Sequence, residues 1–174
     1  MHLLWAGRRI GNNVLPPRWS KESLLDDVEF DMLTNKAISF FKSKNWWFDN
    51  VEPTYQDALL RIGIDIASDF SQFYMHVEDG PTFVSKNGEI YQICWFLNNS
   101  DYAGRLRVAR EALKIPEPYI PLDSFFGGGG YFYNAETGEV FDLGLGDSLK
   151  KFLSGSLNPR WGEFNEFIEW FFDI

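Results

Sequence analysis

Residues 119–143 read YIPLDSFFGGGGYFYNAETGEVFDL, and this stretch decides what fold we expect. An apolar run leads into four consecutive glycines at 127–130, which are followed by the aromatic run Tyr131-Phe132-Tyr133. A turn at Glu136-Thr137-Gly138 then separates this run from a second apolar one. Apolar and aromatic runs bounded by such turn residues are typical of β-strands. The stretch predicts three strands that pair in chain order, over residues 119–126, 131–134 and 139–143.

The glycine run at 127–130 has two possible interpretations. Backbone amides in a glycine-rich loop can surround a phosphate, but a phosphate-binding loop also needs a Lys, a Ser or Thr and a following helix. Here Gly130 is followed by the predicted strand beginning at Tyr131, and no Lys lies nearby. We therefore interpret the glycines as a hairpin bend or bulge where backbones approach closely, and we predict no cofactor.

The composition predicts a single domain with an aromatic core. The 174 residues are enough to bury one substantial core, and 18% of them are aromatic.

Cys94 is the only cysteine, which excludes an intramolecular disulfide and a cysteine-based metal site and fits a reducing compartment. Near the start, the Arg8-Arg9 pair follows a short apolar stretch, the reverse of the order in a signal peptide, and no apolar run approaches the roughly 20 residues of a membrane span. We expect a cytoplasmic protein.

The acidic charge is concentrated in the second part of the chain. Residues 1–50 contain seven Lys or Arg and six Asp or Glu, which gives +1. Residues 51–174 contain nine and nineteen, which gives −10 and, with the first part, the total of −9. Such a body disfavours nucleic acid and anionic membranes and favours a basic partner, because opposite charges steer association. The alternative is that the charge serves solubility.

The first half of the chain is predicted to be mainly helical. Residues 1–20 have no periodicity and indicate an irregular arm, and Ser20 resembles the N-cap of a helix. Further on, the apolar set Ala37, Ile38, Phe40 and Phe41 leads to Trp46-Trp47-Phe48, which either packs on the body or is partly exposed. Two amphipathic helices follow: one over 55–62, capped by Thr54 and ended by Gly63, and one that Ser68 caps and that extends to about residue 77.

The second half is predicted to begin with a hairpin. Asn87-Gly88 between two β-forming runs is a strong hairpin signal, with strands over 82–84 and 89–97. Because residues 90–97 are almost continuously apolar, we expect a central strand that is covered on both faces. Helices are predicted over 102–113, 148–153 and 162–172, and the last should lie on the sheet.

No catalytic, metal-binding or nucleotide-binding group stands out. His2 and His76 are the only histidines. With one cysteine, they offer few of the side chains that a zinc site or a Cys-His nucleophile requires. Carboxylates could serve acid–base hydrolysis, but their spacing defines no pair; the candidates are Asp65, Asp69, Glu78, Asp79, Asp123 and Asp142. In the basic cluster of Arg105, Arg107 and Arg110, the last two share a helical face and should hold a carboxylate of the domain itself.

Five segments together carry a family resemblance: LLRIGIDIASDFSQFYMHVEDGPTF, EIYQICWFL, IPEPYIPLDSFFGGGGYFY, TGEVFDL and FNEFIEWFF. In order and spacing, the chain from about residue 55 resembles the SUKH superfamily, which includes yeast cell-wall synthesis regulators and many bacterial immunity proteins against polymorphic toxins. Two links depart from the family pattern: Ile66-Ala67 replaces Leu-Pro, and Val77-Glu78-Asp79-Gly80 replaces a hydrophobic–Asn-Gly-Gly turn. The resemblance implies an α+β fold, in which a mixed or mainly antiparallel sheet is flanked by helices. It spans residues 55–174, so residues 1–54 are expected to be an N-terminal extension that packs on the body.

The resemblance also implies a non-catalytic protein that works by binding. In the immunity branch this is a cytoplasmic antidote that blocks a toxin domain, often a nuclease, and the acidic body suits such a partner. The alternative is a regulatory or scaffold protein of the same fold that binds endogenous proteins or a small ligand. We expect no metal, nucleic acid or membrane partner. The residues expected to meet a basic partner are Glu78, Asp79, Asp123, Glu136 and Glu139.

Overall fold

The computed structural model describes residues 32–125 and 128–174. Two predictions lie outside these residues: the irregular arm at 1–20 and the helix capped by Ser20. Residue 126, the last of the predicted strand 119–126, and residue 127, the first of the glycine run, also lie outside the described residues.

The described residues form seven helices and two small antiparallel sheets, which confirms the predicted α+β class. In chain order the elements are α1 Asn35–Ser43, α2 Pro53–Arg61, α3 Asp69–His76, β1 Thr82–Ser85, β2 Gly88–Tyr91, α4 Ile93–Asn99, α5 Tyr102–Leu113, β3 Tyr119–Pro121, β4 Gly129–Asn134, β5 Val140–Gly144, α6 Asp147–Leu153 and α7 Phe164–Phe172.

The stretch at 119–143 forms the predicted three-stranded sheet, in the order β3-β4-β5. Strand β4 begins earlier than predicted, at Gly129, because Gly129 and Gly130 pair with Gly144 and Leu143 of β5. Strand β3 ends earlier, at Pro121. Two residues on, the Asp123 carboxylate accepts a hydrogen bond from the Phe125 amide at 2.7 Å, a local turn that competes with strand pairing.

The Asn87-Gly88 hairpin is confirmed, but its second arm is shorter than predicted. Strand β2 stops at Tyr91, and the apolar run expected to be a central strand forms helix α4 instead. The cause is Gln92, whose side-chain oxygen accepts a hydrogen bond from the Trp95 amide at 3.1 Å and so caps the helix. Its amide nitrogen also donates to the carbonyls of Tyr74 and Val77, which fixes this buried side chain at the junction.

The other helix boundaries follow local chemistry. Ser68 caps α3 as predicted, accepting a hydrogen bond from the Ser71 amide at 3.1 Å. Helix α5 spans 102–113 as predicted. The predicted cap of α2 is wrong: Glu52 is the N-cap residue and Thr54 lies in the first turn, because Pro53 already has the backbone angle of a first helical residue. Gly63 ends this helix as predicted, in a left-handed conformation with φ of +76°.

The three-stranded sheet is covered on both faces, so its side chains divide by alternation between two cores. Tyr133 and its cross-strand partner Val140 face the larger core, where Tyr133 stacks on Phe70 of α3 with ring centroids 4.1 Å apart. Phe132 and its partner Phe141 face the opposite way, into a smaller cluster closed by Phe152 of α6. Helix α7 lies on the sheet as predicted, with Phe167 5.2 Å from Tyr131 between ring centroids.

The first and last described helices meet in the larger core. The rings of Phe41 in α1 and Phe172 in α7 lie 5.1 Å apart, and both side chains are buried. Nearby, the Thr34 hydroxyl donates to the Glu169 carboxylate at 2.7 Å, and the Lys36 ammonium forms an ion pair with it at 3.1 Å. The division at residue 54 stays a prediction.

The aromatic run after α1 divides between burial and exposure. Trp46 contacts Phe83 and Phe172 of the core. Trp47 stacks on the His76 ring with centroids 4.8 Å apart, and Phe48 is 52% exposed. Both interpretations of this run therefore apply, to different residues.

Two hydrogen bonds join the two sheets. The Tyr131 hydroxyl of β4 donates to the Asn87 carbonyl in the first hairpin at 2.9 Å. The Tyr91 amide at the end of β2 donates to the Leu122 carbonyl after β3 at 2.7 Å. These bonds hold the β2 end of the first hairpin beside the loop that follows β3, and that junction contains the candidate site.

Candidate functional site

Asp123 organises the loop between β3 and β4. One of its carboxylate oxygens accepts the Phe125 amide at 2.7 Å, and the other accepts the Tyr131 amide at 3.0 Å. A single half-buried side chain thus ties the start of the loop to the strand at its end. Short charge-assisted bonds of this kind make the carboxylate a strong local constraint on the backbone.

Gly130 lets the Asp123 carboxylate approach the strand. A Cβ atom at Gly130 would lie 2.3 Å from Oδ1 of Asp123, which is far inside van der Waals contact, so no side chain fits while Asp123 stays in place. At Gly129 the nearest atom would be the Leu143 carbonyl oxygen at 3.6 Å, an ordinary contact. The glycine run was predicted to allow a close approach of backbones; the structure shows that at Gly130 the approaching group is a carboxylate.

Both glycines line an open cavity of about 470 Å³, which we call the acidic cleft. Its carboxylates come from three places in the chain: Glu89 of β2, Asp123 and Asp142 of β5. Asp142 is ion-paired with Arg160, whereas Glu89 is exposed. A cavity bordered by three carboxylates repels anions, and this agrees with the interpretation that the glycine run does not bind phosphate.

The pKa of Asp123 reflects its position in this cleft. Burial raises the pKa from its ordinary 3.8 to about 6, and the charge of Asp142 adds to that rise. The hydrogen bonds from the Phe125 and Tyr131 amides act in the opposite direction, because they stabilise the charged form. Desolvation is the largest of these effects.

A second cavity, of about 320 Å³, adjoins the acidic cleft between α5 and β3; we call it the apolar groove. Its apolar walls include Tyr91, Phe96, Leu106, Leu113, Pro121 and Phe132. Asp123 and Ser124 line both cavities and therefore form a shared wall. The exposed Arg105 lines the apolar groove but not the acidic cleft. The Tyr102 hydroxyl donates to the Pro121 carbonyl at 2.7 Å, which holds α5 against β3.

The five predicted partner-binding residues occupy three different settings, and their role stays a prediction. Glu78 is half-buried, accepts a hydrogen bond from the Tyr55 hydroxyl at 2.7 Å and lines a third cavity of about 170 Å³; Asp79 beside it is exposed. Glu136 is exposed at the β4–β5 turn, and Glu139 accepts a hydrogen bond from the Thr137 hydroxyl at 2.7 Å. Asp123 forms the shared wall.

The basic cluster on α5 does not hold a carboxylate as predicted for Arg110. The Arg110 guanidinium donates instead to the backbone carbonyls of Glu117 and Tyr119, the latter at 3.2 Å. Burial lowers the pKa of Arg110. The difference arises because the Pro116–Pro118 segment turns the chain back across the helix and presents its carbonyls there.

Histidine and cysteine make structural contacts. His76 ends α3, with Nδ1 2.7 Å from the Phe48 carbonyl oxygen. Cys94 is buried in α4, and desolvation raises the pKa of its thiol to about 12, which keeps it protonated. Within residues 32–125 and 128–174, no three His, Cys, Asp or Glu side chains are arranged to hold a metal ion.

The sequence indicated Asp123 and Asp142 as candidate carboxylates but not that they meet, and it did not indicate Glu89. Glu89 and Asp142 reach the cleft from strands that lie 34 and 19 residues away in sequence, and Ser124 and Arg105 were not connected with Asp123. One usable signal was the Asp-Ser pair after an apolar run, since Asp commonly caps a turn two residues on.

Protein-family models, curated proteins and solved structures were compared with the chain, and none matches it. In the described part of the chain, no helix combines the length and apolar character needed to cross a membrane.

Proposed function

We propose that this protein is a non-catalytic, cytoplasmic binding protein of the immunity type, which captures a basic bacterial toxin domain and blocks its active surface. One observation carries the proposal: residues 51–174 contain nineteen acidic and nine basic residues. A net charge of this size attracts a basic partner over distances of about a Debye length, roughly 8 Å at physiological salt, before any contact forms.

The arrangement of ion pairs leaves much of this charge available to a partner. Among the described residues there are four, namely Lys36–Glu169, Lys86–Asp173, Lys150–Asp147 and Arg160–Asp142. None of them involves the exposed Asp79, Glu89 or Glu136. A nuclease domain binds nucleic acid through a basic groove, and an acidic surface that occupies this groove would exclude the substrate.

The acidic cleft also bears on the hydrolase hypothesis, because it brings Asp123 and Asp142 to one cavity. Paired carboxylates could serve as general acid and base. Both oxygens of Asp123, however, accept backbone amides, and Asp142 is ion-paired with Arg160. Because both carboxylates already have partners, they are better suited to shaping the cleft than to transferring protons. This supports a binding function over a catalytic one.

A second candidate function is a regulatory or scaffold protein of the same fold that binds endogenous proteins or a small ligand. The apolar groove favours it, since cavities of about 300 Å³ or more with mainly apolar walls are the usual form of a ligand pocket. Partner association through such a groove alone would depend little on salt, whereas association through the acidic surface would weaken strongly as salt rises.

The test of the proposed function is co-expression with the product of the neighbouring reading frame. We expect that the neighbour is toxic when expressed alone, that this protein restores growth, and that the two co-purify. A neighbour that is neither toxic nor bound would overturn the proposal.

A charge-reversal pair tests the acidic surface. Glu78→Lys with Asp79→Lys should slow association with the toxin by about tenfold at low salt, because steering by complementary charge contributes at least that much to association rates. Asp147→Lys with Asp173→Lys is the matched control, since it changes the net charge equally at two exposed positions elsewhere. Because Glu78 also binds Tyr55, the unfolding midpoint of the test variant must be measured beside the rate. An equal effect of both pairs would count against a defined acidic interface.

A further inference from the structure

We infer that the acidic cleft and the apolar groove form one docking site for a segment of the partner in which an aromatic or large aliphatic side chain is flanked by Lys or Arg. That the partner is a toxin domain rests on the proposed function. The chemistry of the docked segment rests instead on the wall that the two cavities share. The side chain enters the groove, and the neighbouring basic group lies over the cleft.

The first step is the continuity of the two cavities. Asp123 and Ser124 border both, so an occupant of the groove has these side chains at its edge. The Tyr91 hydroxyl lies beside the Ser124 side chain and within the field of Asp123 and Arg105. A polar rim of this kind is where the main chain of a bound segment would leave the groove.

The second step is the shape of the groove. Its volume of about 320 Å³ lies at the lower end for ligand pockets, about 300–1,000 Å³, and suits one large side chain better than an extended ligand. The walls are already ordered: Leu106 and Phe132 are buried, and the Tyr102–Pro121 hydrogen bond joins the helix to the strand. A preformed pocket requires little ordering on binding, which favours affinity.

The third step is charge. Asp123 has amide partners, and no cation forms an ion pair with it or with the exposed Glu89 in the part of the chain described. A Lys or Arg that reaches the cleft would compensate two carboxylates at once. Arg105 at the groove repels a basic group on its side, so the flanking basic residue is directed to the cleft.

The reverse chemistry is less well matched. A ligand with an apolar body and a carboxylate could pair with Arg105, but its charge would lie in a site that also contains Asp123. A purely basic segment would leave the groove empty, and a purely apolar one would leave the cleft carboxylates without a counter-charge. Only the combination uses both cavities.

The experiment uses the full chain and four blocked pentapeptides as probes, with binding followed by amide chemical shifts in NMR. The test peptide is Gly-Lys-Phe-Lys-Gly; the others replace Phe by Ala, both Lys by Gln, or both Lys by Glu. We expect the test peptide to bind at least about tenfold more tightly than each of the others, which corresponds to about 1.4 kcal/mol. Equal binding of the Gln peptide, or tighter binding of the Glu peptide, would overturn the inference.

Two substitutions locate the site. Ala109→Leu fills the groove from α5, where Ala109 is half-buried, and should abolish the preference for Phe over Ala. Val108→Leu is its matched control, because the neighbouring Val108 is 61% exposed and lines neither cavity. Glu89→Lys should remove the preference for Lys over Gln, with Asp147→Lys as the control for net charge. Unchanged preferences in both test variants would overturn the inference.

The same variants separate this inference from the proposed function. If Ala109→Leu captures the toxin normally while the Glu78 and Asp79 reversals slow capture, the docking inference fails and the immunity function stands. If the neighbour is not toxic but the Lys-Phe-Lys peptide binds with the expected dependence on Ala109 and Glu89, the immunity function fails and the docking site stands.

Discussion

The two ends of strand β4 both pair with β5, but their residues have different roles. At one end, Phe132 and Tyr133 are buried on opposite faces of the sheet and fill two separate cores. At the other end, Gly129 and Gly130 line an open cavity. Both ends pair in regular register with β5, whereas only the packed end also pairs with β3, at Phe132 and Tyr133.

The difference shows that glycines in place of larger residues can leave room for a site while the pairing of β4 with β5 continues. At the packed end, side chains stabilise the sheet by burial. At Gly130, the space that a side chain would fill is taken by the Asp123 carboxylate, which accepts hydrogen bonds from two backbone amides. Substitutions at Phe132, Gly130 and Asp123 test this contrast.

The largest effect should come from the packed end. Phe132→Ala removes a side chain that is 2% exposed and should lower the free energy of unfolding by about 3–5 kcal/mol, the usual cost of a large cavity in a core. Urea unfolding followed by fluorescence measures it. Tyr131→Phe, which removes only the hydroxyl bound to Asn87, is the control and should cost about 1 kcal/mol. If the two variants lost similar amounts of unfolding free energy, burial of Phe132 would not be the main source of stability at the packed end.

A smaller effect is expected at the glycine end. Gly130→Ala should cost about 1–3 kcal/mol, because the new Cβ displaces the Asp123 carboxylate. Gly129→Ala is the matched control and should be close to neutral, since its Cβ meets only the Leu143 carbonyl at 3.6 Å.

A double-mutant cycle identifies the cause of that cost. In an Asp123→Ala background, Gly130→Ala should lose most of its effect, because the atoms that it would displace are gone. An unchanged cost in this background would mean that the glycine is needed for another reason.

The last expected effect is a dependence of stability on pH. The folded pKa of Asp123, about 6, exceeds the ordinary 3.8, so the folded state binds this proton more tightly than the unfolded state does. Its contribution to the free energy of unfolding should therefore decrease as pH rises from about 4 to about 6 and level off above.

The measurement is urea unfolding of the wild type and of Asp123→Asn at pH 4.5, 5.5 and 7. The wild type should lose stability relative to the variant as pH rises through this range. Asp147→Asn, on the exposed side of α6, is the control for loss of one carboxyl group. If the wild type instead gains stability relative to Asp123→Asn as pH rises, the raised pKa of Asp123 is contradicted.

The parts of the fold that were predicted correctly depend on local chemistry. The Asn87-Gly88 turn, the Ser68 cap and the strand order of residues 119–143 each follow from residues within a few positions. Helix α4 was missed because its continuous apolar run is equally compatible with a buried strand, and periodicity cannot separate the two. The deciding residue, Gln92, caps the helix with a side chain that is rarely used in this way.

The candidate site was predictable only in part, for a different reason. Asp123 was selected from its place beside the glycines, but Glu89 and Asp142 join it through the pairing of strands and the contact between hairpins. The apolar groove likewise depends on how α5 packs against β3, which a single sequence does not specify. Contacts between distant segments were therefore the missing information.

The meeting of α1 and α7 has a consequence for synthesis on the ribosome. Phe41 is fully buried, and part of its cover is Phe172, which is translated about 130 residues later. At about 5–20 residues per second, this delay lasts several seconds or more, during which the apolar face of α1 has no native cover from α7. Until translation reaches α7, the nascent chain therefore lacks this part of the native cover of Phe41.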